Sequence, residues 1–221
     1  PLVNRYETRI CSFLDQSTTQ GFGLFQRERR FAAYEDLEAR YQDRPSTWVI
    51  PSGNWGPGSV RLLEIPTENE FGDNIVAFWE PERPLEAGES REFAYELRWF
   101  QTDTNLPPVG HVVATRIADM ADPEDVPLIA DGKTVLRKFV LDFTWPGISN
   151  ARTRRGLDIE VRTGAATLVG RPVQQFNEPD GTWRVFFKVK APKGADATDL
   201  SLVLRHKGRP VTEKWTYLWK P

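Results

Sequence analysis

The sequence predicts an all-β protein built from two units, with one short helix near residues 31–41. Three observations lead to this prediction: apolar and polar residues alternate with a period of two, turn residues recur at regular intervals, and the charge changes part-way along the chain. The 221 residues, of which 39% are hydrophobic, suit one large or two small globular domains.

The change of charge marks the boundary between the units. Residues 1–110 hold 11 Arg, no Lys and 18 acidic residues, a net charge of −7, whereas residues 111–221 hold 18 basic and 13 acidic residues, a net charge of +5. The polar segment 119–132, which is interrupted by prolines, is typical of a connector. We therefore expect a first unit over residues 1–118 and a second unit over residues 133–221.

The second unit has the clearest strand pattern. Val135, Phe139, Leu141 and Phe143 share one side of a strand, and further runs follow over 157–163, 172–177, 182–190, 200–206 and 211–219. Six or seven short strands in about 90 residues favour a β-sandwich of immunoglobulin type, here without a disulfide because Cys11 is the only cysteine. The predicted interior consists of Phe139, Leu141, Val185, Phe187, Leu202 and Leu204.

The aromatic residues near the end of the chain have two interpretations. Trp183, Trp215, Tyr217 and Trp219 could form a platform on which sugar rings stack. At strand spacing, such residues are more often part of a core or of a packed sheet face, and we favour this interpretation. The second unit is then expected to be a support or interaction module.

The first unit also shows strands, over 59–65, 74–79 and 91–100. The helix is predicted because Phe31, Tyr34, Leu37 and Tyr41 recur at helical spacing and Pro45 prevents continuation. Strand signals also begin within the first dozen residues with no turn before them. We therefore expect the chain to open inside a sheet whose other strands lie upstream.

A loop between two of these strands is rich in carboxylates. Glu64, Glu68, Glu70 and Asp73 place four carboxylates within ten residues. Crowding of like charges can raise a carboxyl pKa until the group serves as a general acid, and two carboxylates with nearby aromatics are typical of glycoside hydrolysis. The alternative is a solvated acidic loop. A further polar cluster, Gln26–Arg30, could bind an anion, grip sugar hydroxyls or form structural ion pairs.

Other kinds of site are disfavoured. A net charge of −2 lacks the basic field that nucleic-acid binding requires, and no apolar run approaches the length of a transmembrane helix. One cysteine and two histidines 95 residues apart argue against a metal site. No G-x-S-x-G elbow is present, so serine-hydrolase chemistry is not indicated. We expect neither a metal nor a cofactor.

A series of short blocks carries a family resemblance. These blocks are Gly21–Arg27, Tyr34–Tyr41, Arg44–Val49, Gly53–Gly56, Glu64–Thr67 and Asp73–Trp79. In this order they resemble the periplasmic glucans biosynthesis protein G/D family (OpgG/OpgD, also called MdoG/MdoD), and the matching blocks cover about residues 20–117. Ile50 stands where the family pattern would have glutamate, at a position without a catalytic role.

The resemblance implies a periplasmic protein of Gram-negative bacteria that acts in the synthesis of osmoregulated periplasmic glucans. Family members look like a large N-terminal β-sandwich joined to a smaller immunoglobulin-like domain, and some hydrolyse β-1,2-glucan with inversion. By this similarity the chain is a C-terminal part of such a protein, carrying the end of the large sandwich and the whole small domain.

The same resemblance assigns roles to individual residues. Asp73 matches the general acid, and Glu70 and Tyr41 match positions that line the same site, while the catalytic base belongs to the upstream part. By residue type rather than by the resemblance, Trp55 offers a stacking face, and Gln26 and Arg27 could bind sugar hydroxyls. The alternatives are core packing for Tyr41 and Trp55 and a structural turn carboxylate for Asp73.

Two functions are compatible with this resemblance. One is an enzyme that processes β-linked glucan, most simply a β-1,2-glucanase. The other is a non-catalytic glucan-binding or scaffold protein that assists a membrane glucosyltransferase. A homodimer is a further expectation about partners, and nucleic acid is not an expected partner.

Overall fold

The computed structural model describes residues 21–67, 74–101, 110–119, 123–145, 147–148 and 155–221, together with the backbone of a strand over 9–15. Strands account for 54% of the structure and helical residues for 7%, which confirms the all-β prediction. The chain divides into two compact units, Leu2–Asn105 and Leu106–Pro221. Within the described residues, no helix has the length and apolar character needed to span a membrane.

The described residues of the first unit form two three-stranded antiparallel sheets. In spatial order, one sheet is β1-β4-β5 and the other is β2-β3-β6. Strands β4 and β5 pair along their whole length, from Gly58 opposite Pro81 to Glu64 opposite Ile75. The strands are β1 Arg9–Asp15, β2 Phe22–Leu24, β3 Ser46–Ser52, β4 Gly58–Glu64, β5 Ile75–Pro81 and β6 Ala94–Phe100.

The predicted helix near residues 31–41 is wrong as a continuous element. The segment forms a 3-10 turn at Phe31–Ala33, and a second 3-10 turn at Tyr41–Asp43 follows it. Glu35 and Arg40 between them have positive φ angles of 53° and 49°, which a right-handed helix does not allow. The Asp36 carboxylate accepts hydrogen bonds from the backbone N–H groups of Glu38 and Ala39 at 2.9 and 2.8 Å. This local bonding competes with helix formation.

In the second unit, the part of the chain that the structure describes forms two four-stranded sheets and a short helix, α1 (Val126–Ile129). One sheet has the order β10-β11-β8-β7, and in the other β12 pairs with β9, β13 and β14. The strands are β7 His111–Ala118, β8 Thr134–Thr144, β9 Leu157–Arg162, β10 Thr167–Asn177, β11 Thr182–Pro192, β12 Thr198–His206, β13 Arg209–Pro210 and β14 Trp215–Trp219.

The observed division of the chain lies before the predicted connector. Strand β7, whose residues lie within the predicted first unit, pairs with β8 from His111 opposite Thr144 to Ala118 opposite Lys138. The segment 119–132 contains a 3-10 turn and α1, and the Lys188 ammonium on β11 binds the buried Asp125 carboxylate. The change of charge therefore falls inside the second unit, because charge composition reflects the surface rather than strand pairing.

Alternate residues of the second unit build its core. The six residues predicted to form the interior are all buried: Phe139, Leu141, Val185, Phe187, Leu202 and Leu204. The rings of Phe139 and Phe187 stack with centroids 5.2 Å apart, and Trp215 meets Phe139 edge-on at 5.9 Å. Because Tyr217 and Trp219 are also buried, the core interpretation of the terminal aromatics holds for these residues.

Candidate functional site

The loop with the crowded carboxylates joins β4 to β5. The ladder between these strands continues by one bond beyond Glu64 and Ile75, since the Ile65 N–H donates to the Asn74 carbonyl oxygen at 2.7 Å. Residues 66–73 therefore connect two strand ends that the sheet holds together. Glu70 and Asp73 lie outside the described residues, and Asp73 directly precedes Asn74 in the chain.

Gln26 lies in a group of polar side chains in the first unit. Its Nε2 donates to the Glu28 carbonyl oxygen at 3.0 Å and to the Tyr34 hydroxyl. The Tyr34 hydroxyl in turn donates to the same Glu28 oxygen at 3.0 Å. The backbone N–H of Gln26 donates to the hydroxyl of the buried Ser46 on β3. The hydrogen bonds to Glu28 and Tyr34 therefore hold the Gln26 side chain in one orientation.

Tyr41 belongs to the same neighbourhood. Its ring centroid lies 6.0 Å from that of Tyr34, and the Arg44 guanidinium lies over the Tyr41 ring at 4.3 Å. Arg29 supports this turn by donating to the carbonyl oxygens of Gln42 and Arg44 at 3.2 and 2.9 Å. The structure thus brings two of the predicted site residues, Gln26 and Tyr41, close together, because Tyr34 contacts both of them.

Tyr34 and Arg29 were missed as members of this group. Helical spacing places Tyr34 on the apolar face of the predicted helix, and nothing in the sequence indicates a role for its hydroxyl. Arg29 stood in the polar cluster Gln26–Arg30, whose structural alternative the sequence analysis kept open. The spacing of residues 26, 29, 34 and 41 matches no regular element, because the intervening backbone twice enters the positive-φ region.

Trp55 lies in a different group, at the centre of an aromatic cluster. Its ring centroid is 5.2 Å from Phe93 and 6.2 Å from both Trp79 and Tyr95, with Phe22 at 6.5 Å. The indole N–H donates to the Ala94 carbonyl oxygen at 3.0 Å. These contacts fix the plane of the Trp55 ring.

The charged residues of the Gln26–Arg30 cluster point to structural ion pairing. Arg30 hydrogen-bonds the Glu28 carboxylate and lowers the pKa of Glu28 to about 2. This carboxylate stays ionised near neutral pH and cannot act as a general acid there. Arg27 is exposed at the surface of the first unit.

The described residues contain no grouping of metal ligands, and their polar side chains include several hydrogen-bond donors and acceptors. Within the ranges that the structure describes, no three His, Cys, Asp or Glu side chains group in a way that could hold a metal ion. Tyrosine hydroxyls, a glutamine amide and guanidinium groups supply donors and acceptors that match sugar hydroxyls. Aromatic rings nearby supply apolar faces.

Comparison with known proteins identifies the family. The model of the family described as "Periplasmic glucan biosynthesis protein, MdoG" matches residues 1–219. The chain belongs to the MdoG family. "Glucans biosynthesis protein G" of Shewanella sp. (strain W3-18-1) is 37% identical over 99% of this chain, and its counterpart in Vibrio cholerae serotype O1 (strain ATCC 39541 / Classical Ogawa 395 / O395) is 38% identical over 99%. The protein of that name in Bradyrhizobium diazoefficiens is 34% identical over the whole chain.

Family membership also gives the location. The MdoG family is periplasmic by description, and the relatives come from Gram-negative bacteria, so the protein is periplasmic. The chain spans 38% of the length of the Shewanella and Vibrio relatives and 41% of the Bradyrhizobium relative. The match extends over both units, beyond the blocks at residues 20–117 on which the resemblance was first drawn.

Proposed function

We propose that the protein acts in periplasmic glucan biosynthesis by processing β-1,2-linked glucan. The observation that carries this proposal is the match of nearly the whole chain to the MdoG family and to relatives named "Glucans biosynthesis protein G". The fixed polar group of Gln26, Tyr34 and Tyr41 supports it, because such groups hydrogen-bond sugar hydroxyls.

The proposed chemistry is hydrolysis by an inverting acid/base mechanism. Asp73 is the proposed general acid, with Glu70 as the negative neighbour that keeps Asp73 protonated to higher pH. An inverting enzyme also needs a carboxylate that activates water on the opposite face of the sugar. We propose that this base lies in a part of the longer protein outside the present chain. Tyr41 would hydrogen-bond the substrate, and Trp55, Gln26 and Arg27 would bind the glucan.

A proposal about domains accompanies this mechanism. The relatives are more than twice as long as the chain, and the first unit exposes apolar sheet faces. We propose that the first unit is the C-terminal part of a larger glucan-processing sandwich. The second unit, with its two packed sheets, would be a separate immunoglobulin-like domain.

The test is hydrolysis of β-1,2-glucan by the full-length protein that contains this chain, followed with a reducing-end assay. Asp73→Asn should lower the rate by about 10²–10⁴ while glucan binding remains, because asparagine keeps the size of the side chain but cannot give a proton to the leaving oxygen. Glu178→Gln, the same change from acid to amide at an exposed position of the second unit, is the control and should leave the rate of hydrolysis unchanged. Activity of Asp73→Asn within threefold of wild type would contradict the assignment.

The second candidate is a non-catalytic glucan-binding or scaffold protein that assists a membrane glucosyltransferase. The names of the relatives favour it, because they state biosynthesis rather than hydrolysis. In this case the protein would bind β-1,2-glucan without turnover, and its β-units would provide surfaces for the transferase or for a second copy of itself. If the full-length protein binds β-1,2-glucan but the reducing-end assay detects no hydrolysis, the result would favour the scaffold function.

A further inference from the structure

An open pocket lies at the end of the β4–β5 pair that is opposite to the carboxylate loop. Its volume is about 460 Å³, within the usual range for small-molecule sites. The pocket is formed by the loop before β4 and the loop after β5, and its lining consists of Asn54, Trp55, Gly56, Pro57, Arg83 and Arg91. Arg83 and Arg91 lie outside the sequence blocks that carry the family resemblance.

One wall of the pocket is held in place by its own hydrogen bonds. The Asn54 side-chain oxygen accepts from the Gly56 N–H at 2.8 Å, and Gly56 has a positive φ of 81° that favours glycine. The Trp55 indole N–H is fixed to Ala94, and the Glu82 N–H donates to the Pro57 carbonyl oxygen at 3.0 Å. The two loops are therefore joined directly, and the indole is oriented before any ligand binds.

The other wall presents guanidinium groups whose charge is balanced. Arg83 donates to the Glu89 carboxylate at 3.0 Å and lies 3.7 Å from the Glu86 carboxylate. Arg91 donates to the Arg83 carbonyl oxygen at 3.3 Å. A guanidinium carries five N–H groups, so this bond leaves Arg91 with donors for a ligand. Two arginines against two glutamates make the wall nearly neutral, which favours a neutral polar ligand over an anion.

An oriented indole beside planar N–H donors is the combination that recognises a sugar, whose C–H face packs on the ring while its hydroxyls accept hydrogen bonds. We propose that this pocket is a second glucan-binding site, with Trp55 as the stacking residue and Arg91 as the hydrogen-bond donor. The proposal rests on the proposed function for its choice of ligand. The six residue steps from Gly58 to Glu64 put the pocket about 20 Å from the end of β4 that leads toward Asp73, so Trp55 would bind a part of the glucan other than the part at the proposed general acid.

The test measures binding of a linear β-1,2-gluco-oligosaccharide to the 221-residue chain by calorimetry. Arg91→Ala should weaken binding about tenfold, the usual effect of losing a hydrogen bond to a charged group. Arg98→Ala is the matched control, because Arg98 is a partly exposed arginine of the same unit that pairs with Glu96 and does not line the pocket. Trp55→Phe keeps an aromatic ring in the cluster and should weaken binding by a smaller factor. Circular dichroism of each variant checks the fold.

Three results would overturn the proposal. The first is equal oligosaccharide binding by wild type and Arg91→Ala. The second is the absence of binding by the 221-residue chain. The third is binding of inorganic phosphate, lost in Arg91→Ala, in place of the oligosaccharide. If binding is unchanged in Arg91→Ala but weakened in Tyr41→Phe, the pocket proposal fails and the proposed function stands. Failure of the proposed function would instead appear as no turnover and no glucan binding by the full-length protein.

Discussion

The two units differ in how they bury apolar side chains. In the second unit, Phe139, Leu141, Val185, Leu202 and other side chains are fully buried between two sheets. In the described part of the first unit, the buried residues are Ser46 and Ser59. On β6, Tyr95, Leu97 and Trp99 share one face and are 57%, 42% and 63% exposed.

The unit with the packed core is therefore not the unit that contains the candidate sites. A domain is stable on its own when its sheets cover one another, as those of the second unit do. Each sheet of the first unit has three strands, and an apolar face such as that of β6 is typical of an interaction surface. The carboxylate loop, the Gln26–Tyr34–Tyr41 group and the pocket at Trp55 all belong to the first unit. The first unit thus carries the proposed chemistry, and the second carries the core.

The strongest test of this comparison is to express the units separately. A fragment of residues 106–221 should unfold cooperatively, because it contains both sheets and the whole aromatic core. A fragment of residues 2–105 should aggregate or show no cooperative transition, since its apolar faces are uncovered. Chemical denaturation and NMR dispersion measure both outcomes. A sharp transition and dispersed spectrum for residues 2–105 would contradict the distinction between the units.

A pair of matched substitutions tests the same contrast at single residues. Leu202→Ala should lower the free energy of unfolding by about 2–5 kcal/mol, because Leu202 is fully buried and its truncation leaves a cavity. Leu97→Ala should lower it by less than about 1 kcal/mol, because Leu97 is already 42% exposed. Denaturant unfolding of the 221-residue chain measures both values. Equal losses at the two positions would show that β6 is packed as tightly as β12.

The fold was predictable where strands alternate over a buried core. The strands predicted at 157–163, 182–190 and 200–206 all correspond to observed strands, because burial on one face imposes a period of two on the sequence. The helix predicted at residues 31–41 is wrong because no buried face imposes the helical period there. Its apolar residues satisfy the helical period, but the backbone is set by two positive-φ residues and by the Asp36 hydrogen bonds, which leave no periodic signal.

The candidate sites were predictable only in part. Composition and family blocks drew attention to Tyr41, Trp55 and Gln26, yet the sequence did not indicate that Tyr34 joins Gln26 to Tyr41. It also did not indicate that Arg91, which is 36 residues from Trp55, lines the same pocket. The pocket depends on which loops the β4–β5 pairing brings to one end of a sheet, and the Gln26–Tyr34–Tyr41 group depends on the irregular backbone between β2 and β3. The order of residue types in the sequence does not predict these spatial arrangements.

Removing the charge of a buried ion pair in the second unit should lower the free energy of unfolding by a smaller amount. Asp142 on β8 is 2% exposed and accepts hydrogen bonds at 2.7 Å from Arg184 and Arg116. Burial by itself would raise the pKa of Asp142, but the hydrogen bonds from the two arginines outweigh burial and lower it. Asp142→Asn keeps the shape of the side chain and removes its charge, so it should lower the free energy of unfolding by about 1–3 kcal/mol at pH 7.

The pH dependence of this substitution identifies its cause. Because the pKa of Asp142 is lower in the folded than in the unfolded state, its contribution to stability is complete above the ordinary Asp pKa of about 3.9. That contribution is lost as the pH falls through the folded-state value. The difference in stability between wild type and Asp142→Asn should therefore be constant from pH 7 to about 5 and should shrink below about 4. Asp158→Asn, at an exposed position on β9, is the control and should change little at any pH. A difference for Asp142→Asn that stays the same down to pH 2 would mean that the arginines stabilise the carboxyl group through packing rather than through its charge.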